Sequence, residues 1–475
     1  MVPKVAVSTN PQDWKSGFLS FAAERLEQIE RDGRMDSLDD ISKSLFKNRS
    51  DIMGQAALAL IERKFGHLLD QQHCQCPHCH RRLKARKKIE REVQMLIGTI
   101  TLHRPYFYCH HCHYGFFPLD EALGLSKRKI QPDIQELEAW LATEMPYETA
   151  AETLQRCAGI KVSNHHMHDI ANDIAQELEV LDVCPTKEEI HRQIDALSEG
   201  KFRRPVLMIG IDGSHAPTRP EPSPRKGPRG KGEWKEVKGF RLYLLGDERI
   251  IHLLSWHQIK SDKELAADML QIKQAGLIPE EKVRTCVIGD GASWIWNRTQ
   301  ELFPEAKLVL DYYHCSEYLH KTAQTQYGQN SQKAQEWIEA TLTRLFANNI
   351  DQVIAGLKRM KPSSDDAKEQ INKTIGYLSK RRDKTSYGAL KRGGYHIGSG
   401  GIESSNKFIC NVRLKRSGAW WYPTNANNIL KLRCAKYNGT YDRIMAETRK
   451  KNKSIGSHKN PGELRLVVNN SCKNR

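Results

Sequence analysis

The chain is 475 residues long, 39% hydrophobic and 28% charged, a length suited to roughly two to four domains, each able to bury a core. Its 74 Lys and Arg against 57 Asp and Glu leave a net charge of +17, which favours a nucleic-acid partner. The N-terminal stretch MVPKVAVSTNPQDW lacks an apolar core of signal-peptide length, and no apolar run approaches the ~18 residues of a membrane span. A membrane role is therefore not expected, and the expected location is cytosolic or nucleoid-associated. There, twelve cysteines serve better as thiols or metal ligands than as disulfides.

Residues 11–32 show helical periodicity, with Trp14, Phe18, Phe21, Ala22, Leu26 and Ile29 on one face. A second helix is predicted from about Asp51, taken as its N-cap, to Leu69. These two helices either dimerise or pack on the next module. Residues 73–118 carry paired cysteines around short strands. Ile100 and Leu102 alternate there with Thr99, Thr101 and His103, a period of two, with Gly98 a turn or bulge before them. From 126 to 185 the pattern is helical. Pro146 starts one helix with Ala150, Ala151, Leu154 and Cys157 as its apolar stripe. Gly159 makes a turn, and Ser163 caps a helix that turns Met167, Ile170, Ala171 and Ile174 inward. Helix, short turn, helix suits a helix-turn-helix and an ordinary helical hairpin equally.

From 205 the pattern becomes α/β. Strands are predicted at Val206–Asp212, Lys238–Leu245, Ile250–Trp256, Arg284–Asp290 and Lys307–Leu310. Helices are predicted at Asp262–Ala275 and around Trp294. A Pro/Gly/Lys/Arg-rich insertion at Pro217–Gly232 reads as a mobile loop. Residues 315–390 read as all-helical, with Trp337, Ile338, Leu342, Leu345 and Phe346 on one face. A further helix follows Gly401, and the tail after Thr448 is basic and poorly patterned.

Four places carry chemistry. The pattern C-x2-C-x29-C-x2-C, Cys76, Cys79, Cys109 and Cys112, aims four thiolates at one Zn²⁺ in a structural, fully coordinated site. Cys74 and the nearby His78, His80, His110, His111 and His113 are read as supporting or surface residues. Asp212 and Asp290 each close an apolar strand, and Glu403 follows the glycine-rich HIGSGGIESSNK. Three such carboxylates can hold a pair of Mg²⁺ or Mn²⁺ ions and serve in-line displacement at phosphodiesters. Asp311 and His314, in DYYH after a strand, are assigned a supporting catalytic role. Lys407, Arg413, Lys415 and Arg416 lead into Trp420, Trp421 and Tyr422. That segment is either a phosphate-binding and base-stacking surface or a solvated helix followed by core tryptophans. Trp294 and Trp296 are expected in the core.

Together IDGSH, VIGDGA, DYYH, GSGGIESSNK and the paired cysteines resemble the DDE transposases of bacterial insertion sequences, most closely the ISKra group allied to the Mutator-related superfamily. The resemblance implies a ribonuclease H-like catalytic core with an all-helical insertion, preceded by an N-terminal zinc ribbon and a helical, helix-turn-helix-like DNA-binding region. On that plan the divisions are 1–70 helical, 71–125 zinc ribbon, 126–200 DNA-binding, 201–447 catalytic with its insertion at about 315–395, and 448–475 basic tail. It also implies a triad of Asp212, Asp290 and Glu403, with the family's Asp/Cys-x-x-His motif at Asp311 and His314.

The expected activity is metal-dependent cleavage and strand transfer on DNA by a bacterial protein working as a homodimer or higher homo-oligomer. The helix after Ser163 would read the terminal inverted repeats, with Asn164, His165 and His168 at its leading end. Lys407, Arg413, Lys415, Arg416 and Trp420 would hold DNA near the reacting centre. A structure-selective nuclease or resolvase would share the core but cut without joining. A zinc-ribbon regulator would bind DNA without cutting.

Overall fold

The computed structural model describes residues 14–220 and 231–455. It is a mixed α/β protein that divides into two compact units, Met1–Ile170 with Met445–Arg475, and Ala171–Ile444. Among the described residues no helix is long and apolar enough to cross a membrane.

The first unit begins with helices Trp14–Asp32 and Leu38–Leu69. The second helix starts well before the expected Asp51. Ser37 is its N-cap, accepting a hydrogen bond from the Asp40 N–H at 3.2 Å. Asp51 lies mid-helix and pairs with Arg25 of the preceding helix, so its charge joins the two helices instead of capping one. The short strands β1 (His73–Gln75) and β2 (Arg82–Lys84) pair with each other. Strands β3 (Lys87–Met95), β4 (Gly98–Cys109) and β5 (Tyr114–Phe116) form an antiparallel sheet. The alternation read in β4 holds: Ile100 and Leu102 are buried while Thr101 and His103 are exposed. The buried face packs on Leu58, Ile61, Phe65 and Leu68 of the long helix.

Helices Pro132–Glu144, Tyr147–Ala158 and Asn164–Ala175 follow. Ile134, Ala150, Leu154, Ile160 and Met167 make their common core. Gly159, at φ +63°, ends the middle helix in the left-handed conformation that glycine adopts without Cβ strain. Ser163 Oγ accepts from the His166 N–H at 3.1 Å, the cap expected from sequence. The wholly buried Glu138 holds His166 Nδ1 at 2.8 Å, so a charged side chain sits between two helices with a partner supplied. The boundary between the two units falls within the Asn164–Ala175 helix.

The second unit is built on a five-stranded sheet of β6 (Val206–Thr218), β7 (Glu233–Leu245), β8 (Ile250–Gln258), β9 (Arg284–Gly289) and β10 (Lys307–Leu310). Their spatial order is β10-β9-β6-β7-β8. β6, β7 and β8 are antiparallel neighbours, while β6, β9 and β10 run parallel. Parallel neighbours need crossovers, and helices Asp262–Gln274 and Ser293–Leu302 supply them before β9 and β10. The interior strands are apolar almost throughout; Val206–Ile211 is buried at every position.

β6 runs six residues beyond the expected Asp212, because its hairpin partner β7 begins at Glu233 and pairs out to Thr218. Hydrogen bonds from Trp421 N–H to the Pro217 carbonyl at 3.1 Å, and from Arg219 N–H to the Trp421 carbonyl at 2.9 Å, tie down this hairpin. Most of the expected Pro217–Gly232 loop, residues 221–230, lies outside the described residues. After β10 come helices Tyr312–Tyr327, Gln332–Phe346, Ile350–Arg359, Asp365–Ser379 and Tyr387–Arg392. The Gln332–Phe346 helix buries Ala334, Ile338, Thr341 and Leu345, whereas Phe346 is exposed. Helix Tyr441–Ile455 carries regular structure past Thr448 into the segment expected to be unpatterned. The rest of that tail, like residues 11–13 of the first expected helix, lies outside the described residues.

Candidate functional sites

The cysteine cluster is made by two turns of the same form. Each is a Cys-x-x-Cys followed by a histidine, and His80 and His113 both take positive φ, +56° and +52°. That left-handed residue turns the chain back so that both sulfurs of a pair face inward. The four sulfurs of Cys76, Cys79, Cys109 and Cys112 lie within 4.8 Å of one another. Cys76 and Cys112 are 3.9 Å apart, and Cys79 and Cys109 are 3.5 Å apart. A tetrahedral ion with Zn–S bonds of ~2.3 Å needs sulfurs about 3.8 Å apart, so the donor set fits zinc in number, softness and spacing. A hydrogen bond from the Cys112 backbone leads the interactions that bring the Cys109 thiol down to about 7, while the neighbouring sulfurs and burial push Cys112 up to about 12. Cys74 and the flanking histidines lie outside this group of four. The His78 ring instead stands edge-on to Tyr114 at 4.6 Å.

The acidic residues are arranged by the sheet. In the parallel register, Ile211 of β6 lies beside Gly289 of β9, which lies beside Leu310 of β10. The next residue on each chain is an aspartate: Asp212, Asp290 and Asp311. Asp212 accepts from the Gly213 N–H at 2.8 Å through one oxygen and from Asn406 Nδ2 at 2.7 Å through the other. Asp290 accepts from the Gly291 and Ala292 N–H groups at 2.8 and 2.9 Å.

Asp311 differs from the other two. It is wholly buried, caps helix Tyr312–Tyr327 by accepting from the His314 N–H at 2.7 Å, and accepts from the Ser399 N–H with its other oxygen. Both oxygens serve backbone N–H groups.

What it positions is Glu403. Ser399 Oγ donates to Glu403 Oε1, and Tyr312 N–H donates to the Ile397 carbonyl at 2.9 Å, closing the same turn. The short helix Gly400–Ser405 sits on the sheet through the buried Ile402. A Cβ on Gly210 of β6 would fall 2.9 Å from the Ile402 Cβ, so the glycine permits the close approach. Arg241 of β7 donates to the Gly401 carbonyl at 2.6 Å. Glu403 itself is exposed.

The carboxylates act on one another. Burial first, then the negative charges of Asp290 and Glu403, push Asp212 up to about 6, while the Gly213 N–H and His314 oppose the shift. The sheet and helix therefore bring Asp212, Asp290, Glu403 and His314 into one electrostatic neighbourhood. They do not close it to ligand distance, for among the described residues the four cysteines are the group gathered tightly enough to hold an ion. Hard carboxylate oxygens in one neighbourhood are the donor type suited to Mg²⁺ or Mn²⁺. His314 is half-buried, with Nδ1 3.5 Å from Glu317 Oε2.

Of the remaining expected contacts, Lys407, Lys415, Arg416 and Trp420 are exposed, Trp420 by 42%. Arg413 is not: it is 3% exposed, with its guanidinium 4.7 Å from the Trp421 ring centroid. Its position inside the turn corrects the expected DNA contact. The two readings of the tryptophan pair each hold for one residue, since Trp421 is buried and Trp420 is not. Trp296 is core as expected, whereas Trp294 is only partly buried and lies under Lys238 at 5.3 Å. Asn164 and His165 are exposed at the start of their helix. His168 is partly buried, 3.1 Å from Asp169 and edge-on to Tyr147.

Sequence reasoning missed Asn406, Ser399 and Arg381. Arg381 Nε donates to the Gly291 carbonyl at 2.8 Å, beside Asp290. Asn406 had a signal, lying three residues after Glu403 and so on the same helical face. Arg381 had none.

A family described as "Uncharacterised protein family (UPF0236)" matches residues 37–242. The match takes in the four cysteines and Asp212 and stops before Asp290 and Glu403. A relative from Streptococcus gallolyticus, described as "UPF0236 protein in vanSb 3'region", is 23% identical over 362 residues, spanning 74% of each chain. Among solved structures, the "Drosophila P element transposase strand transfer complex" aligns over 72% of this chain and 87% of that chain, with 10% identity and a TM-score of 0.23. At that score the likeness carries no inference about this chain, which is similar in sequence to UPF0236 proteins.

Proposed function

We propose that the chain is a DDE transposase of the insertion-sequence type, most like the ISKra group, that cleaves and joins DNA at the terminal inverted repeats of its element. The observation carrying this reading is the placement of Asp212 on β6 and of Asp290 directly after the neighbouring parallel strand β9, with the Glu403 helix packed over β6. The strand order, third-second-first-fourth-fifth with only the second antiparallel to the rest, supports a ribonuclease H-like core. The helices between β10 and Glu403 occupy the place of that core's helical insertion.

Asp212, Asp290 and Glu403 would hold the divalent ions, Mg²⁺ or Mn²⁺, which supply activation of the attacking oxygen and stabilisation of the leaving one. The chain's own part is positional. Asp311 and Ser399 fix Glu403, the Gly291 and Ala292 amides fix Asp290, and His314 offsets the negative charge around Asp212. Lys407, Lys415, Arg416 and the exposed Trp420 follow on the same segment and suit phosphate contact and base stacking. Cys76, Cys79, Cys109 and Cys112 would hold a structural Zn²⁺. Asn164, His165 and His168 lead the helix proposed to read the repeats, in a protein acting as a homo-oligomer on DNA.

The test is cleavage and joining of labelled repeat-end duplexes by the full-length protein in Mg²⁺ or Mn²⁺. Asp212→Asn, Asp290→Asn and Glu403→Gln are each expected to lose at least about 10³-fold in cleavage rate, in line with loss of a group acting on the reacting centre, while duplex binding is kept. Wild-type rates in all three variants would end the reading. Cleavage without joining would turn it into a nuclease or resolvase.

A further inference from the structure

The helix that carries Glu403 does not continue regularly. Residues Asn406–Asn411 form a π-helical turn between the α-helical pieces Gly400–Ser405 and Val412–Leu414. Such wide turns are costly, and they cluster at functional positions. This one is held from behind: Arg433, 7% exposed on helix Pro423–Tyr437, donates through Nε to the Ile409 carbonyl at 2.7 Å and through Nη2 to the Phe408 carbonyl. The turn brings two asparagines onto β6. Asn406, 5% exposed, donates to Asp212 Oδ2 at 2.7 Å, and Asn411 accepts from Ser214 Oγ at 2.9 Å.

Behind Asn406 lies His257 of β8, wholly buried. Its Nε2 is 3.3 Å from Ser405 Oγ. Burial holds the imidazole neutral, down to about 3. β7 makes room for the ring, since a Cβ on Gly239 would fall 2.2 Å from the His257 Cδ2.

We propose that Asn406 is a positioning residue for Asp212, delivered by the π turn, that orients this carboxylate to take up a divalent cation. The inference rests on the reading of Asp212 as a cation ligand. Its chemistry is specific. With Gly213 N–H on Oδ1 and Asn406 on Oδ2, each oxygen is fixed by one donor and keeps a lone pair for a cation. An amide does this without charge; a lysine or arginine in its place would neutralise the carboxylate and compete with the ion. Groups that orient ligands from behind typically govern affinity by 10- to 100-fold.

The experiment is Mn²⁺ titration of the full-length protein, free ion followed by electron paramagnetic resonance, beside the Mn²⁺ dependence of duplex cleavage. Asn406→Ala should weaken the Asp212-dependent Mn²⁺ site about tenfold or more. It should also raise the Mn²⁺ concentration for half-maximal cleavage in step, recover rate at saturating Mn²⁺, and leave duplex binding unchanged. A purely structural role would lower the folded fraction without moving either Mn²⁺ constant. Where Asn406→Ala does not fold, Asn406→Gln, which keeps the amide but displaces it, carries the same expectation. Wild-type Mn²⁺ affinity and half-saturation in a folded variant overturn the proposal. Equal Mn²⁺ binding by wild type and Asp212→Asn overturns the cation reading beneath it, and the proposal with it.

Discussion

The cysteine cluster and the acidic site are both built to gather like-charged donors, yet they are assembled in opposite ways. Cys76 and Cys79 lie in the turn of the β1–β2 hairpin, Cys109 and Cys112 in that of the β4–β5 hairpin, and the two turns meet within a stretch of under forty residues. Asp212, Asp290 and Glu403 span almost two hundred residues and are brought together by parallel strand register and by one helix seated on Gly210. The sulfurs are already at bonding separation for an ion, 3.5 to 3.9 Å in the pairs given above. Burial first, and then the neighbouring carboxylates, raise Asp212 to about 6 without the group being drawn to ligand distance. The first arrangement would depend on a bound ion for its core; the second is held by its scaffold.

The comparison breaks most visibly at Cys76. Cys76→Ser should release zinc and unfold the sheet around Phe107, Tyr114 and Phe116, whose small core has little to replace an ion worth on the order of 10 kcal/mol in such sites. Removal of zinc by a chelator should do the same. The readouts are zinc content and hydrogen exchange by segment: loss of protection across 73–116 is expected, with protection of β6–β10 kept. Equal loss in β6–β10 would show that the scaffold also depends on the ion.

A smaller effect tests the scaffold itself. Asp311→Ala removes a helix cap and leaves the Ser399 N–H without its acceptor in a buried place, a loss of about 2–4 kcal/mol. Glu403→Gln, at an exposed position, should cost far less in a urea titration, about 0.5 kcal/mol or under. If the two variants prove equally stable, Asp311 is not the tie that positions the Glu403 turn.

The smallest effect sharpens the electrostatic side. Because Asp212 is raised in the folded protein, from 3.8 to about 6, folding binds an extra proton between those values. Its ionised form therefore destabilises the metal-free protein above pH ~6, and the penalty fades as pH falls toward ~4. In metal-free buffer Asp212→Asn should raise stability at pH 7.5 by up to about 3 kcal/mol, with the gain shrinking toward pH 4. Added Mg²⁺ should reverse the ranking. A gain independent of pH would mean that ionisation of the buried Asp212 carboxyl is not its cause.

Much of this was legible in the chain. The spacing of Cys76, Cys79, Cys109 and Cys112 needs only short-range turns, and β9 and β10 were marked by apolar runs ending in aspartate. The Gly159 turn and the Ser163 cap were likewise local signals. Where local signals misled, a distant partner had intervened. Asp51 looked like a cap but answers Arg25, Arg413 looked like a phosphate contact but lies against Trp421, and the end of β6 was hidden because only pairing with β7 extends it.

By itself, then, the sequence determined the donors: which cysteines pair, and which aspartates stand at strand ends, because alternation and turn chemistry act over a few residues. Tertiary structure alone decided their duties. Three aspartates follow the same row of the sheet, and their place at strand ends does not separate Asp311 from Asp212 and Asp290. Burial does, because a carboxylate sealed from water must spend its oxygens on backbone N–H groups, and those of Asp311 go to His314 and Ser399. Asn406 gained its place the same way, through a widened turn held by Arg433 from a separate helix.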